Sequence, residues 1–223
     1  FPEADLAGCR FIGTVLEGAI LVGVKADGVD FFRARASKAM AAGSSFAGAV
    51  FDRAELSQSM WHDSTLEWAS FFCADLRTSA LTSVKGKGVC LVAADVAKAA
   101  LGPGSDFTEG DLRLMNGRGA SLLGSTFDDA WLGGADLGKA IVSGAKLRGA
   151  ELVAVHTPES DWSDSVIEDA DMTAMNAFRA MFDRAEMTRV RLEDAKLFQA
   201  GFCETVFDTL WMGNTDIRRT TLE

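Results

Sequence analysis

Side chains capable of acid–base or nucleophilic chemistry are few in this sequence and lie far apart. The two histidines are His62, which precedes Asp63, and His156, which follows Glu151 by five positions. A catalytic dyad needs a third positioned group and a pocket, and neither histidine has a neighbouring motif that supplies them. We interpret both as exposed polar side chains and expect no enzymatic activity.

Binding motifs for phosphate or metal are also absent from the pattern. The segment Lys85-Gly86-Lys87-Gly88 mixes lysine with glycine but lacks the spacing of a phosphate-binding loop, and no helix is expected after it. The four cysteines match no zinc pattern, and a disulfide framework is not expected, which agrees with a reducing, cytoplasmic compartment. We therefore predict no cofactor and no metal site. The cysteines are Cys9, Cys73, Cys90 and Cys203.

The composition argues against a membrane span and against direct binding to nucleic acid. The sequence has no run of eighteen apolar residues, so we expect no membrane span. The formal net charge is −10, most of it in residues 107–223, and phosphate affinity requires a basic surface. Direct nucleic-acid binding is therefore disfavoured, and a protein of unknown identity is the expected partner.

The segment from Ala130 to Val153 shows what organises the chain. It reads AWLGG, ADLGK, AIVSG, AKLRG and AELV, so a small residue, a variable one and a large apolar one recur every five positions. This period is neither the two of a strand nor the 3.6 of a helix. A five-residue unit with one bulky and one small inward side chain favours a flat-sided coil, in which successive turns stack on one another.

The same frame extends through the whole chain. Large apolar centres stand every five residues from Leu6 to Leu101 and, after one extra residue within 102–106, from Phe107 to Leu222. The residue two positions before each centre is small. Exceptions at the centres are Ala26, Ala36, Ala41, Gly86, Gly117, Thr157 and Ala177, and exceptions at the small position are Met115, Met175 and Leu210.

This pattern resembles the pentapeptide-repeat family, whose consensus is A-(D/N)-L-x-x. It stands here as Ala4-Asp5-Leu6, Ala54-Glu55-Leu56, Ala74-Asp75-Leu76, Ala135-Asp136-Leu137, Ala150-Glu151-Leu152, Ala170-Asp171-Met172 and Ala185-Glu186-Met187. The resemblance implies an all-β fold, a right-handed quadrilateral β-helix with four units per coil. The chain would then be one solenoid over 1–223 of about eleven coils, with a loop at 102–106, and about 53 Å long at ~4.8 Å per coil.

Residues twenty apart should share a face in such a coil. If the loop skips no face, one inward column reads Phe11, Phe31, Phe51 and Phe71 before it changes to leucine and methionine. We therefore predict a phenylalanine ladder in the N-terminal coils. Solenoid ends need caps, and neither end shows an amphipathic cap helix. We expect a fragment of a longer protein, or a dimer or end-to-end contact that covers one end.

An acidic run between Arg148 and Arg179 has two readings. It could be a solvated face that favours solubility. Alternatively, some members of the family imitate duplex DNA and bind DNA gyrase, protecting it from topoisomerase poisons, and this run could form such a patch. The gyrase-binding members tend to carry a dimerising C-terminal helix, which is not evident here. The patch would be Glu151, Glu159, Asp161, Asp164, Glu168, Asp169 and Asp171.

Outward apolar residues supply the other functional signal. Phe178 and Phe198 are twenty apart and should stack on one face, and large exposed apolar groups often mark contact surfaces. The alternative is partial burial under a neighbouring strand edge. From these residues we expect a non-catalytic scaffold, and the resemblance suggests a repeat module of a larger bacterial protein, such as those associated with type VI secretion. The candidate contact residues are Phe178, Phe198, Trp131, Trp211 and Met181.

Overall fold

The computed structural model describes residues 1–222, and Glu223, the last residue of the expected solenoid, lies outside the described residues. The chain winds into stacked coils that are joined by parallel backbone bridges and contain no helix within 1–222. Bridges join residues twenty apart, such as Asp5 with Lys25, and twenty-one apart across the loop, as for Lys85 with Asp106. The loop therefore skips no face of the coil, and the expected β-helix is confirmed.

Four ladders of bridged residues define the four outer faces. The first face begins at Asp5 and the second at Arg10. The third face begins at Val15 and the fourth at Ile20. Following the chain around one coil, the faces come in this order, so the second and fourth faces lie on opposite sides of the rod. Each bridged residue directly precedes a centre, whose side chain points inward. Since successive residues of an extended segment point to opposite faces, the side chains of the bridged residues point outward.

Three segments within 1–222 are long enough to be continuous strands. They are β1 (Val166–Glu168), β2 (Glu186–Arg191) and β3 (Val206–Trp211), which form a parallel sheet in the order β1-β2-β3. Met187 pairs with Ile167 on one side and with Phe207 on the other. The strands run from the first face around the corner toward the second.

Each corner of the coil is a tight turn. The carbonyl of a centre accepts a hydrogen bond from the amide three residues on, as from Cys9 to Leu6 at 2.9 Å. Outside the loop at 102–106, the residue two after a centre has a positive φ, which is the geometry of a type II turn. Glycine adopts it without strain, as at Gly43, but many other types stand there too, including Trp68 and Leu114. The turn, and not the side chain, thus fixes this conformation.

The predicted inward residues form one long core. Leu137 and Phe182 are fully buried, and Leu147 is nearly so. The phenylalanine ladder is confirmed, because ring centroids are 5.1 Å apart between Phe11 and Phe31 and 4.7 Å between Phe31 and Phe51, with nearly parallel planes. Equivalent side chains therefore stack along the axis, and rings of different faces meet edge to face, as Phe46 and Phe51 do at 5.5 Å.

Tryptophan fits at a centre because a serine stands two positions earlier. The indole nitrogen of Trp61 donates a hydrogen bond to Ser59 at 2.7 Å, and that of Trp162 donates to Ser160 at 2.8 Å. A buried indole N–H needs a partner, and the small inward position supplies it from within the same unit. All four residues are buried.

The end coils depart from the uniform inward pattern. Cys9 occupies a small inward position but is exposed, because the first coil is covered on one side only. The centres of the last described coil are also partly exposed, and they line an apolar concavity with Leu192, Leu197, Phe202 and Leu210. These centres are Phe207, Met212, Ile217 and Leu222. Inward orientation therefore gives full burial only where a coil lies on both sides.

Candidate interaction surfaces

The histidines take part in ladder contacts and in no catalytic arrangement. His62 Nδ1 lies in hydrogen-bond contact with Thr82 Oγ1 of the next coil. His156 Nδ1 is 3.2 Å from Asn176 Nδ2, again one coil away. Among residues 1–222, no three His, Cys, Asp or Glu side chains are grouped so that they could hold a metal ion.

The glycines at two centres have packing roles. A Cβ at Gly86 would lie 2.9 Å from the ring of Phe107, which fills the space of the missing side chain. A Cβ at Gly117 would lie 2.8 Å from Leu137 and 3.3 Å from the methyl group of Met115. Met115 and Gly117 therefore exchange the large and small positions of their unit. Met175 and Ala177 show the same exchange in sequence, and both are buried.

Ion pairs from adjacent coils neutralise much of the acidic run. Asp164 accepts two hydrogen bonds from Arg184, at 2.7 and 2.8 Å. Arg189 donates to Asp169 at 2.5 Å and to Glu168 at 2.7 Å. Because coils repeat every twenty residues, arginines outside the run in sequence lie beside it in space.

The remaining members of the run lie on different sides of the rod. Glu168 is also 3.2 Å from Arg148, and Glu159 is 3.5 Å from Lys139. Glu151 and Asp171 lie on the second face, whereas Asp161 lies on the fourth. These last three side chains form no ion pair within the described part of the chain. The run is thus a mixed-charge band around the rod, with three unpaired carboxylates.

Arginine contacts also change the acidity of the run. The side-chain hydrogen bonds from Arg184 and Arg189 lower the pKa of Asp164 and of Asp169, respectively, below the ordinary value of 3.8. Both carboxylates therefore stay ionised, and paired, at any physiological pH. Their charge is already balanced within the protein and contributes little to an outward negative field.

The candidate contact residues do not form one surface. Trp131 and Trp211 lie on the second face, each 46% exposed, whereas Met181 lies on the opposite, fourth face. Phe178 and Phe198 follow the third face, at its corner with the fourth. Side-chain type alone could not separate these faces, but the position of each residue within its coil does.

The phenylalanine pair stacks as predicted, with centroids 5.9 Å apart and planes 4° apart. Both rings are half-buried. Arginine guanidinium carbons lie 4.9 Å from the Phe178 centroid, for Arg179, and 5.7 Å from the Phe198 centroid, for Arg218 and Arg219. The stack is therefore partly covered by cation–π contacts and offers less free apolar surface than the tryptophans.

Sequence reasoning missed other outward apolar residues. Leu114 is 65% exposed and lies over Gly134 in the next coil, and Trp68 is 61% exposed and lies over Gly88. Both stand two residues after a centre, a position at which none of the candidate contact residues stands. The twenty-residue spacing from a bulky corner residue to a glycine would have found each pair.

Comparison with protein-family models finds a match to the model described as "Pentapeptide repeats (8 copies)" at residues 1–35. The five-residue unit of the matched segment continues in the structure through the described coils. Residues 1–35 therefore match the pentapeptide-repeat family, and the same five-residue unit builds the other described coils. A search of curated proteins gives no match.

Several solved pentapeptide-repeat structures are similar to this chain. One is HetL, involved in heterocyst differentiation regulation in the cyanobacterium Nostoc sp. strain PCC 7120, with 18% identity, TM-score 0.48 and coverage of 100% of this chain and 88% of that one. Another is QnrB1, a plasmid-mediated fluoroquinolone resistance protein, with 19% identity, TM-score 0.48 and coverage of 90% and 91%. Among residues 1–222 of the rod, no helix could cross a membrane.

Proposed function

We propose that this pentapeptide-repeat rod is a non-catalytic scaffold that docks a partner protein on its second face, between Asp111 and Trp211. The observation that carries the proposal is the pair Trp131 and Trp211, each 46% exposed on one flat face. Four coil steps separate them, about 19 Å at ~4.8 Å per coil. Tryptophan is enriched among the residues that dominate binding energy at protein interfaces.

The surroundings of Trp131 strengthen it as an anchor. Leu114, 65% exposed, covers Gly134 at the corner beside the second face. In the two coils after Gly134, the residues at the same corner are uncharged. They are Val153 and Ala154, followed by Thr173 and Ala174. This edge would let a partner's apolar side chains contact Leu114, while Arg113 and Glu151 line a hollow with Trp131 and add polar contacts.

The charges of the face suggest the chemistry of the partner. Glu151 and Asp171 lie between the two tryptophans and form no ion pair in the described residues, and Arg191 is 3.7 Å from Glu193. The unpaired carboxylate of Glu151 lies one coil from Trp131 and suits a lysine or arginine side chain of a partner. Trp211 lies beside Arg189 and Arg191 instead. We infer a partner with an apolar patch and with a basic residue where the patch meets Trp131.

The biological setting stays part of this proposal. The resemblance to pentapeptide-repeat tails suggests the repeat module of a larger bacterial protein, associated with type VI secretion. A docking face that extends over several coils, with anchors at both ends, would suit a module that positions a partner.

The alternative function is protection of DNA gyrase by imitation of DNA. QnrB1 is named as a fluoroquinolone resistance protein, and the acidic run suggested such a surface. The ion pairs of Asp164, Glu168, Asp169 and Glu159 argue against it, because paired carboxylates give a weak phosphate-like field. Inhibition of gyrase supercoiling, or rescue of gyrase from a quinolone, by micromolar protein would favour this alternative.

Affinity capture with matched variants tests the docking proposal. The wild-type chain and the double variant Trp131→Ser/Trp211→Ser are used as baits in lysate of the source cells, and bound proteins are identified by mass spectrometry. Trp68→Ser, which removes an exposed tryptophan outside the second face, is the control. We expect one or more proteins to be lost with the double variant and kept by the control, whereas identical partner sets would refute the second face.

A further inference from the structure

The fourth face carries a long row of uncharged outward side chains. From Ile20 to Ile141, successive coils present Ile20, Met40, Met60, Ala80, Ala100, Ser121 and Ile141. Ile20 and Ile141 are 51% and 45% exposed. A charge-free row through seven successive coils is unusual on a chain of net charge −10, since charged side chains normally cover the outside of a soluble solenoid.

The row is not level along its length. Ala80, Ala100 and Ser121 have short side chains, whereas Met60 precedes them and Ile141 follows them. From these side-chain lengths we infer a shallow depression in the middle coils. The loop Gly102-Pro103-Gly104 borders this depression at the corner toward the first face.

One edge of the fourth face is basic. The corner shared with the third face carries five lysines and arginines between its end carboxylates Glu17 and Glu159, namely Lys38, Arg77, Lys98, Arg118 and Lys139. Lys38 and Lys98 form no ion pair in the described residues, whereas the other three pair with acids. The opposite edge, from Val22 to Gly144, carries Asp63 as its one carboxylate.

We propose that the fourth face binds an amphipathic helix of a partner protein that carries carboxylates along one flank. The row spans six coil steps, about 29 Å at ~4.8 Å per step, which corresponds to a helix of about 19 residues. Helix pitch, 5.4 Å, is close to the coil spacing, so each helical turn can place an apolar side chain near one coil. The carboxylates of the helix would lie beside Lys38 and Lys98.

The geometry disfavours two other occupants. A second copy could pack its fourth face against this one with the rods antiparallel or parallel. In the antiparallel dimer, the two basic edges would face each other and repel. In the parallel dimer, each basic edge would face the nearly uncharged edge of the other copy and find no carboxylates. A flat lipid surface would leave the depression at Ala100 unfilled, whereas a protruding helix side chain fills it. The fourth face lies opposite the second, so this site is independent of the docking proposed there.

Fluorescence anisotropy with designed peptides tests the proposal. The probe is a lactam-stapled helix of about twenty residues, with leucines on one face and glutamates on the adjoining flank; its control has lysines in place of the glutamates. The overall acidity of the protein favours the lysine peptide, so at least tenfold tighter binding of the glutamate peptide supports the proposal. Equal or weaker binding than the lysine peptide overturns it, as does no binding at about millimolar peptide.

Two variants locate the site. Ala100→Arg adds a positive charge, so electrostatic attraction alone would strengthen binding of the glutamate peptide. The long side chain also fills the depression and blocks the helix side chain that the proposal places there. The proposal therefore requires about tenfold weaker binding. Lys38→Glu/Lys98→Glu should also weaken it about tenfold, and Lys25→Glu/Lys146→Glu, on the first face, should not. Unchanged affinity in both test variants, or binding only to phosphatidylserine vesicles, overturns the proposal. Melting temperatures establish that each variant is folded.

Discussion

Arg184 holds Asp164 through two parallel hydrogen bonds, of 2.7 and 2.8 Å, although twenty residues separate them in sequence. The coil period places them one above the other at the same corner. The same period brings Arg148 and Arg189 to Glu168. Net charge along a solenoid must therefore be judged by coil, because a run that is acidic in sequence can be paired in space.

Asp216 gives a test of an arginine contact within a single coil. The side-chain hydrogen bond from Arg218, at 2.8 Å, lowers the pKa of Asp216 from 3.8 to about 2. A carboxylate whose folded pKa is depressed contributes stability above its unfolded pKa, and this contribution is lost as the pH falls through about 2. A carbon-detected NMR titration should find the low pKa, and Arg218→Gln should raise it toward 3.8. A titration unaffected by this substitution would contradict the pairing.

Met115 and Gly117 should be energetically coupled. Gly117→Leu restores the large centre of the consensus but meets Met115 and Leu137, so we expect it to destabilise the protein by about 1–3 kcal/mol. Met115→Ala leaves a cavity and should also destabilise the protein. The double variant Met115→Ala/Gly117→Leu restores the small–x–large order of the repeat. It should recover much of the free energy of unfolding that each single variant loses. Urea unfolding of all four proteins measures the coupling, and additive effects would disprove the exchange.

Gly88 and Gly43 separate backbone strain from steric overlap. Both have a positive φ, of 66° and 62°, so alanine at either should cost about 1 kcal/mol. A Cβ at Gly88 would lie 2.3 Å from the Trp68 ring, whereas none of the surrounding atoms lies within 4 Å of one at Gly43. Gly88→Ala should therefore destabilise the protein more than Gly43→Ala. In a Trp68→Ala background the two costs should become equal, as measured by thermal unfolding.

Leu137 and Leu114 test the distinction between inside and outside. Leu137 is fully buried and Leu114 is 65% exposed. Leu137→Arg buries an unpaired charge and should cost several kcal/mol, so the variant should lose its β circular-dichroism signal or become insoluble. Leu114→Arg makes the same chemical change in solvent and should keep nearly the wild-type melting temperature. Equal stability of the two variants would contradict the assigned orientation of the repeat.

The inward half of this structure could be predicted from the sequence because it repeats. The five-residue frame predicted the burial of Leu137 and the stacking of Phe31 on Phe51, since both follow from period alone. The exchange of Met115 with Gly117 could not be predicted, because two exceptions to one pattern gave no sign that they compensate each other.

The outward half depends on which face each residue occupies. Phe178 and Trp131 were grouped as exposed apolar residues, yet they lie on different sides of the rod, and Phe178 is partly covered by Arg179. The pairing of Asp169 with Arg189 does not show in the linear order of charges, because the two residues meet only between adjacent coils. Position within the twenty-residue coil carries the functional information, and the five-residue frame alone does not.

The most direct test of the docking face is the affinity of a purified partner for three forms of the chain. The partner is the protein captured by wild type and lost with Trp131→Ser/Trp211→Ser, and its Kd is measured by isothermal titration calorimetry at fixed salt. If the two tryptophans are interface anchors, the double variant should raise the Kd at least tenfold, about 1.4 kcal/mol or more, while Trp68→Ser leaves it unchanged. Equal Kd values for all three forms would contradict docking through the second face.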